Sequence, residues 1–133
     1  SGFEMKEIAK RLLDKNDVPY IDFGTYVNKD CDYNEYVCAA VGSIANKTSD
    51  FAMGFCRTGQ GVNILANHLS GIRSAIVLDE YTAEYAIRHN CVNFFAVPEK
   101  YVSEEMLDQM IKIWKKTTFD GGRHMTRMKK TMG

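Results

Sequence analysis

Apolar residues recur along this chain in two alternating rhythms. Met5, Ile8, Ala9, Leu12 and Leu13 share one helical face, and Pro19 ends that pattern before the short extended run Tyr20-Ile21-Asp22-Phe23. A second helical stripe, Val37, Ala40, Val41, Ile44 and Ala45, leads through a polar stretch into the apolar run Phe51 to Phe55. After the glycine-containing loop Cys56 to Gly61 comes a third stripe of Val62, Leu65, Ala66 and Leu69, then a buried-type strand from Ala75 to Leu78. A helix over Tyr81 to His89, a strand over Phe94 to Val97 stopped by Pro98, and a helix over Ser103 to Lys116 complete the series. Ser103 suits the N-cap of that last helix, and Glu104 and Glu105 suit its positive first turn. The stripe Leu107, Met110, Ile111 and Trp114 reads as core or subunit interface.

Near-continuous apolar strands alternating with amphipathic helices predict a parallel sheet covered on both faces. The expected fold class is α/β, a doubly wound, Rossmann-like three-layer sandwich. In such sheets ligands sit beyond the carboxyl ends of the strands, so chemistry is expected in the loops after Phe55, Leu78 and Val97.

Composition narrows the class. A chain of 133 residues with 45% hydrophobic residues supports one domain, spanning 1–133, with a real core. Lys plus Arg balance Asp plus Glu at 17 each, so no global charge draws the protein to nucleic acid or membrane; the basic cluster is C-terminal. The cysteines Cys31, Cys38, Cys56 and Cys91 form no CxxC pair, which suits reduced thiols and a cytoplasmic location. No apolar run approaches the roughly 18 residues that span a bilayer, and the start lacks the order of a signal peptide. The histidine and cysteine spacings, including His68 and His124, fit no zinc pattern, so no metal is expected.

The loop Cys56-Arg57-Thr58-Gly59-Gln60-Gly61 lies where a strand gives way to a helix, and its glycines allow successive backbone N–H groups to converge on an anion. A plain tight turn is the competing reading. Cys56, near a helix start and beside Arg57, is a candidate base or nucleophile, though a cysteine ending a buried strand also serves as a small hydrophobe.

More specific is a set of residues in order: Cys56 to Gly61, Ala66-Asn67, Gly71-Ile72-Arg73-Ser74-Ala75, Tyr81-Thr82-Ala83, His89-Asn90 with Asn93, and Phe119-Asp120-Gly121-Gly122-Arg123-His124 with Arg127. Gly2-Phe3 with Lys6, Ile21 to Thr25, and Asp32-Tyr33 extend it over nearly the whole chain. This set resembles the ribose-5-phosphate isomerase B / galactose-6-phosphate isomerase family. The resemblance implies an aldose–ketose isomerase of a phosphorylated sugar, by default ribose 5-phosphate to ribulose 5-phosphate, working through an enediolate without a cofactor. It implies that Cys56 is the enolisation base and that Arg57, Thr58, Gly59, Gln60 and Gly61 hold the enediolate oxygens. Some family members use a glutamate in the following helix instead, where this chain has Asn63. His89 matches the proton donor of ring opening, with Thr58 near it and Asn90 on the substrate. Arg123 and Arg127, four apart, match the arginines that grip the phosphate, which makes 117–133 a phosphate-binding and subunit-contact segment. Lys100 stands where relatives carry a substrate-contacting arginine. Sites in the family form where subunits meet, so a homodimer or homotetramer with shared sites is implied. A helix-capping histidine and a solvated basic tail are the plainer alternatives for His89 and for the arginines.

The chain also departs from the family. Relatives begin with a strand ending in Asp-His, and here the sequence opens at the segment that follows it. The neighbouring strand edge and apolar helix faces are then expected to be exposed. Arg57 replaces a glycine, Pro98-Glu99-Lys100 replaces a small-residue turn, Asn34 replaces a proline, and Cys91 replaces an aspartate. Galactose, allose and tetrose phosphates are alternative substrates. A non-catalytic sugar-phosphate-binding or partner subunit of the same family is the second functional expectation. A flavodoxin-like or response-regulator-like domain is the third and lacks the acidic cluster it needs.

Overall fold

A computed structural model describes residues 2–24 and 33–132. Thr25, Cys31 and Asp32, named above, lie outside the described residues. Among the described residues the sheet has three parallel strands, β1 (Ala52–Cys56), β2 (Ser74–Ile76) and β3 (Phe94–Pro98), in the order β1-β3-β2. Strand β3 is buried at every position, as a central strand covered on both faces must be.

Helices α1 (Phe3–Lys15), α4 (Glu80–Asn90) and α5 (Glu104–Lys116) cover one face, where Met5, Ala9, Leu12, Ala83, Ile87, Leu107, Met110 and Ile111 meet Phe95 and Val97. Helices α2 (Tyr33–Ala45) and α3 (Gln60–His68) cover the other, where Val37, Val41, Val62 and Ala66 meet Phe94 and Ala96. The alternation of Phe94 and Ala96 against Phe95 and Val97 on β3 divides the two cores, and the doubly wound expectation stands. A last helix, α6 (Arg123–Met132), packs near α4.

The helix boundaries have local causes. Ser103 caps α5 as expected, its Oγ accepting the Met106 N–H at 3.1 Å. A capping box starts α4: Asp79 Oδ1 accepts the Thr82 N–H at 2.8 Å and Thr82 Oγ1 accepts the Asp79 N–H at 3.1 Å. Val77 and Leu78, expected to extend β2, lie past its end, although the Val77 N–H still reaches Ala96 O at 3.1 Å.

The expected strand Tyr20 to Phe23 is a correction, because that run is irregular and joins no sheet. Tyr20 and Ile21 are exposed, and Asp22 is held instead by Lys6 at 2.9 Å and Lys10 at 3.1 Å, which ties the segment to α1 by charge. Among the described residues β1 pairs with β3 alone, and beside its other edge lies a groove of about 590 Å³ lined by Ala9 and Leu13 of α1 and Val37 and Ala40 of α2. That edge of β1 is half-buried rather than fully exposed, and Ala9 and Val37 in the groove wall are buried.

One buried acid locks α1 to α5. Asp108 accepts hydrogen bonds from Asn16 at 2.8 Å and Lys15 at 3.4 Å and pairs with Lys112 at 3.0 Å. The Asn16 hydrogen bond, followed by the Lys112 contact, lowers its carboxyl to about 2. A carboxyl lowered in the folded state stabilises the fold above its unfolded value, and that contribution disappears as pH falls through the folded value. The exposed ends of the two lysines screen the pair, so Asp108→Asn is expected to cost about 1 kcal/mol at neutral pH. Urea unfolding at pH 7 and near pH 2 checks this: the difference between variant and parent should be present at the first and nearly gone at the second.

Candidate active site

Strand β1 delivers Cys56 to the carboxyl edge of the sheet, and α3 starts at Gln60. Between them Gly59 adopts φ 78°, a left-handed conformation that turns the chain into the helix and that a side chain resists. The turn aims the Gly59 N–H at Cys56 Sγ, 3.1 Å away. Gln60 N lies 3.4 Å from Thr58 Oγ1, while the following first-turn N–H groups of α3 have no intrahelical acceptor. A sulfur carrying negative charge here faces a backbone donor and the positive end of a helix, as a proton-abstracting base requires.

Backbone bonds bolt a second loop to this one. Cys56 O accepts the Glu99 N–H at 2.9 Å and Arg57 O accepts the Lys100 N–H at 3.1 Å. Lys100, Arg57, Thr58 and Gln60 are exposed at this edge, and Gly59 is buried beneath them. The start of α1 meets the same place: a Cβ on Gly2 would stand 2.2 Å from Phe55 O, and the Gly2 N–H donates to Glu99 at 2.9 Å.

His89 and Asn90 end α4 and belong to another group. Arg73 Nε donates to Asn90 O at 2.7 Å, and Arg88 O accepts the Asp120 N–H at 2.9 Å, which brings the chain before α6 against α4. Arg88 Nε donates to Asp120 Oδ1 at 3.1 Å, and Asp120 Oδ2 lies 3.7 Å from His89 Nε2. His124 stacks on His89 with centroids 4.0 Å apart and planes 10° apart. Arg88, hydrogen-bonded first to Asp120 and then to Glu84, is held above its ordinary value, and Asp120 is held below its own by Arg88. Desolvation and then the charges of His89, Arg123 and Arg127 push His124 down. Arg123 and Arg127 are exposed on α6, so this end of the molecule is strongly cationic and suits an anion.

His89, Asp120 and His124 also bring ligand-type atoms within 4.8 Å of one another, a cluster that the sequence spacing did not reveal. Parallel stacked imidazoles direct their lone pairs into separate planes, and three arginines surround the cluster, so the arrangement suits a metal ion poorly.

The two groups occupy opposite ends of the sheet. Cys56 pairs with Pro98 at one end, whereas Ala52 and Ser74 pair with Phe94 at the other. Helix α4 returns from the end of β2 to the start of β3, so its last residues lie beside Asn93 and Phe94. A five-residue strand separates the ends by about 13 Å, so one chain does not join Cys56 and Thr58 to His89. The structure thus brings together Cys56, Arg57, Thr58, Gly59, Gln60, Gly61 and Lys100, and separately His89, Asn90, Arg123 and Arg127. The roles of Arg88, Asp120, His124 and Tyr85 around His89 were missed; the spacing of Tyr85 and His89 on one helix was the available signal.

Comparison with known proteins places this geometry. The family model described as Ribose/Galactose Isomerase matches residues 1–131. Ribose-5-phosphate isomerase B of Escherichia coli strain K12 is 31% identical, over 96% of this chain and 85% of that protein. The crystal structure of a ribose 5-phosphate isomerase from Thermotoga maritima, 36% identical, superimposes with a TM-score of 0.93 and covers 97% of this chain and 89% of that one. Ribose-5-phosphate isomerase B from Mycoplasma genitalium, solved with bound ribulose-5-phosphate, is 27% identical with a TM-score of 0.86, covering 97% of this chain and 86% of that one.

Proposed function

This chain belongs to the ribose/galactose isomerase family and is a sugar-phosphate isomerase, and on that premise we propose that it interconverts ribose 5-phosphate and ribulose 5-phosphate in sites shared by two copies. The observation that carries the proposal is the Cys56 cradle at one end of the sheet with the His89 and arginine group at the other. Two copies related by a two-fold axis can set the cradle of each against the cationic end of its partner, giving two identical sites. A homodimer is the smallest assembly that does so, and a tetramer is two such pairs.

In each site Arg123 and Arg127 of one copy grip the phosphate, and Asn90 holds a sugar hydroxyl. His89 gives a proton to the ring oxygen as the bond from that oxygen to C1 breaks. The anomeric hydroxyl releases its proton to solvent, and an aldehyde is left. Cys56 of the other copy then removes the C2 proton, and its loop, Arg57 to Gly61, stabilises the enediolate oxygens through backbone N–H groups and the Thr58 hydroxyl. Return of a proton to C1, with the hydrogen of the C2 hydroxyl passing to O1, gives the ketose. Lys100, bonded through its backbone to Arg57, adds positive charge at the rim.

Oxidation at C2 is matched by reduction at C1 of the same molecule, so no external oxidant or reductant enters and no cofactor is needed. A thiol base is kept reduced in the cytoplasm, where we place the enzyme. Among the described residues no helix is long and apolar enough to cross a membrane.

The purified chain incubated with ribose 5-phosphate should accumulate ribulose 5-phosphate to a fixed equilibrium ratio. Specific activity should fall on dilution below the dimer dissociation constant. Failure to convert any aldose phosphate of four to six carbons overturns the assignment.

A further inference from the structure

The ring-opening role of His89 rests on the function proposed above, and the surroundings of that imidazole carry it further. Its plane is set by the face of His124 at 4.0 Å and the edge of Tyr85 at 4.7 Å. Within that plane the Nε2 edge faces Asp120, whose Oδ2 lies 3.7 Å away, near enough for a charge contact and one small approach short of a hydrogen bond. Asp120 is itself fixed at two points, by its own N–H on Arg88 O at 2.9 Å and by Arg88 Nε on Oδ1 at 3.1 Å. Arg88 is steadied from the other side by Glu84 at 3.2 Å.

Ion pairs this exposed contribute little to stability. A carboxylate that gives one oxygen to an arginine and turns the other toward a histidine instead favours hydrogen on the ring nitrogen it faces, which leaves the other nitrogen for the substrate. We propose that Asp120 is a positioning residue for His89, holding the Nε2 edge of the ring so that the remaining nitrogen is presented to the ring oxygen of a cyclic sugar phosphate. Asp120 also stands just before α6, which carries Arg123 and Arg127. One short segment therefore seats the phosphate and aims the proton donor, and a cyclic substrate held by its phosphate meets an imidazole already in register.

The test separates ring opening from the proton transfer at carbon. Ribulose 5-phosphate cannot close a five-membered ring, because the hydroxyl that would attack its C2 carries the phosphate. Deuterium from D2O therefore enters at its C1 through the Cys56 step alone, and NMR reads this exchange. Asp120→Asn should lower kcat on ribose 5-phosphate by about ten- to a hundredfold with KM changed by less than about threefold. Exchange at C1 of ribulose 5-phosphate should stay within about twofold of the parent, which also reports an intact fold and phosphate site. Asp120→Glu, which keeps the carboxylate, should recover most of the lost kcat.

Equal loss of turnover and exchange in Asp120→Asn overturns the proposal, since it shows a role in folding or phosphate binding. Unchanged turnover overturns it as well. A parent enzyme with neither turnover nor exchange overturns the isomerase reading itself, a result that the Asp120 variants cannot produce.

Discussion

Cys56→Ala is expected to lower turnover of ribose 5-phosphate by about a thousandfold while leaving the fold unchanged. The magnitude follows from the step lost, because removal of a carbon-bound proton needs a base in contact, and water in the same place is a far weaker one. Asn63, on the first turns of α3, is no substitute, being an amide whose oxygen already accepts from Ser74 at 2.7 Å. The half-buried thiol fills little space, so its truncation should move the thermal midpoint by only a few degrees, about 1 kcal/mol at most. Steady-state kinetics beside a melting curve checks both halves. Parent-like turnover from the alanine variant removes Cys56 from the mechanism.

Mixing two dead enzymes should produce a live one. Cys56→Ala and His89→Ala are each expected to be inactive when pure, because every shared site then lacks one of its two functional ends. A hetero-pair of the two variants contains one site with both lesions and one with neither. Random exchange of subunits makes about half of the pairs hetero-pairs, so activity should rise to about a quarter of the parent level. Dissociation by dilution or mild urea followed by reassociation sets up the exchange, and the assay is the same ribose 5-phosphate turnover. Absence of recovery, once exchange is confirmed by native mass measurement, places both residues in one chain's site and rejects the shared arrangement.

Much of this was legible in the sequence, for physical reasons that differ from residue to residue. The run Phe94 to Val97 is buried on both sides, and continuous burial writes itself as an unbroken apolar run; Phe51 to Phe55 reads the same way although it is only half-buried. Ser103 was legible because capping is local chemistry within three residues. Tyr20 to Phe23 misled because extended apolar character says nothing about whether a neighbouring strand is there to pair with. The Cys56 loop was visible from its glycines. What no local pattern could show is that His89 sits at the far end of the sheet from Cys56, because that depends on the direction in which α4 returns. The contacts of Asp120 with Arg88 and His89 are likewise set by how the chain folds back after α5.

The bonds that join the Cys56 loop to the turn after β3 run from backbone to backbone, Glu99 N–H to Cys56 O and Lys100 N–H to Arg57 O. Side chains at 57 and 100 are thereby released from holding the cradle in shape, whereas that of Glu99 accepts the Gly2 N–H and ties the start of α1 to it. Mutations at 57 and 100 can change the size, charge and reach of the rim without disturbing the donors that face the sulfur. Such a division lets a lineage drift between sugar phosphates of different length and stereochemistry while the proton-transfer apparatus stays in working order throughout. On the function proposed above, Arg57 and Lys100 are then the positions at which this chain's choice of sugar phosphate can change while the loop beneath them stays fixed.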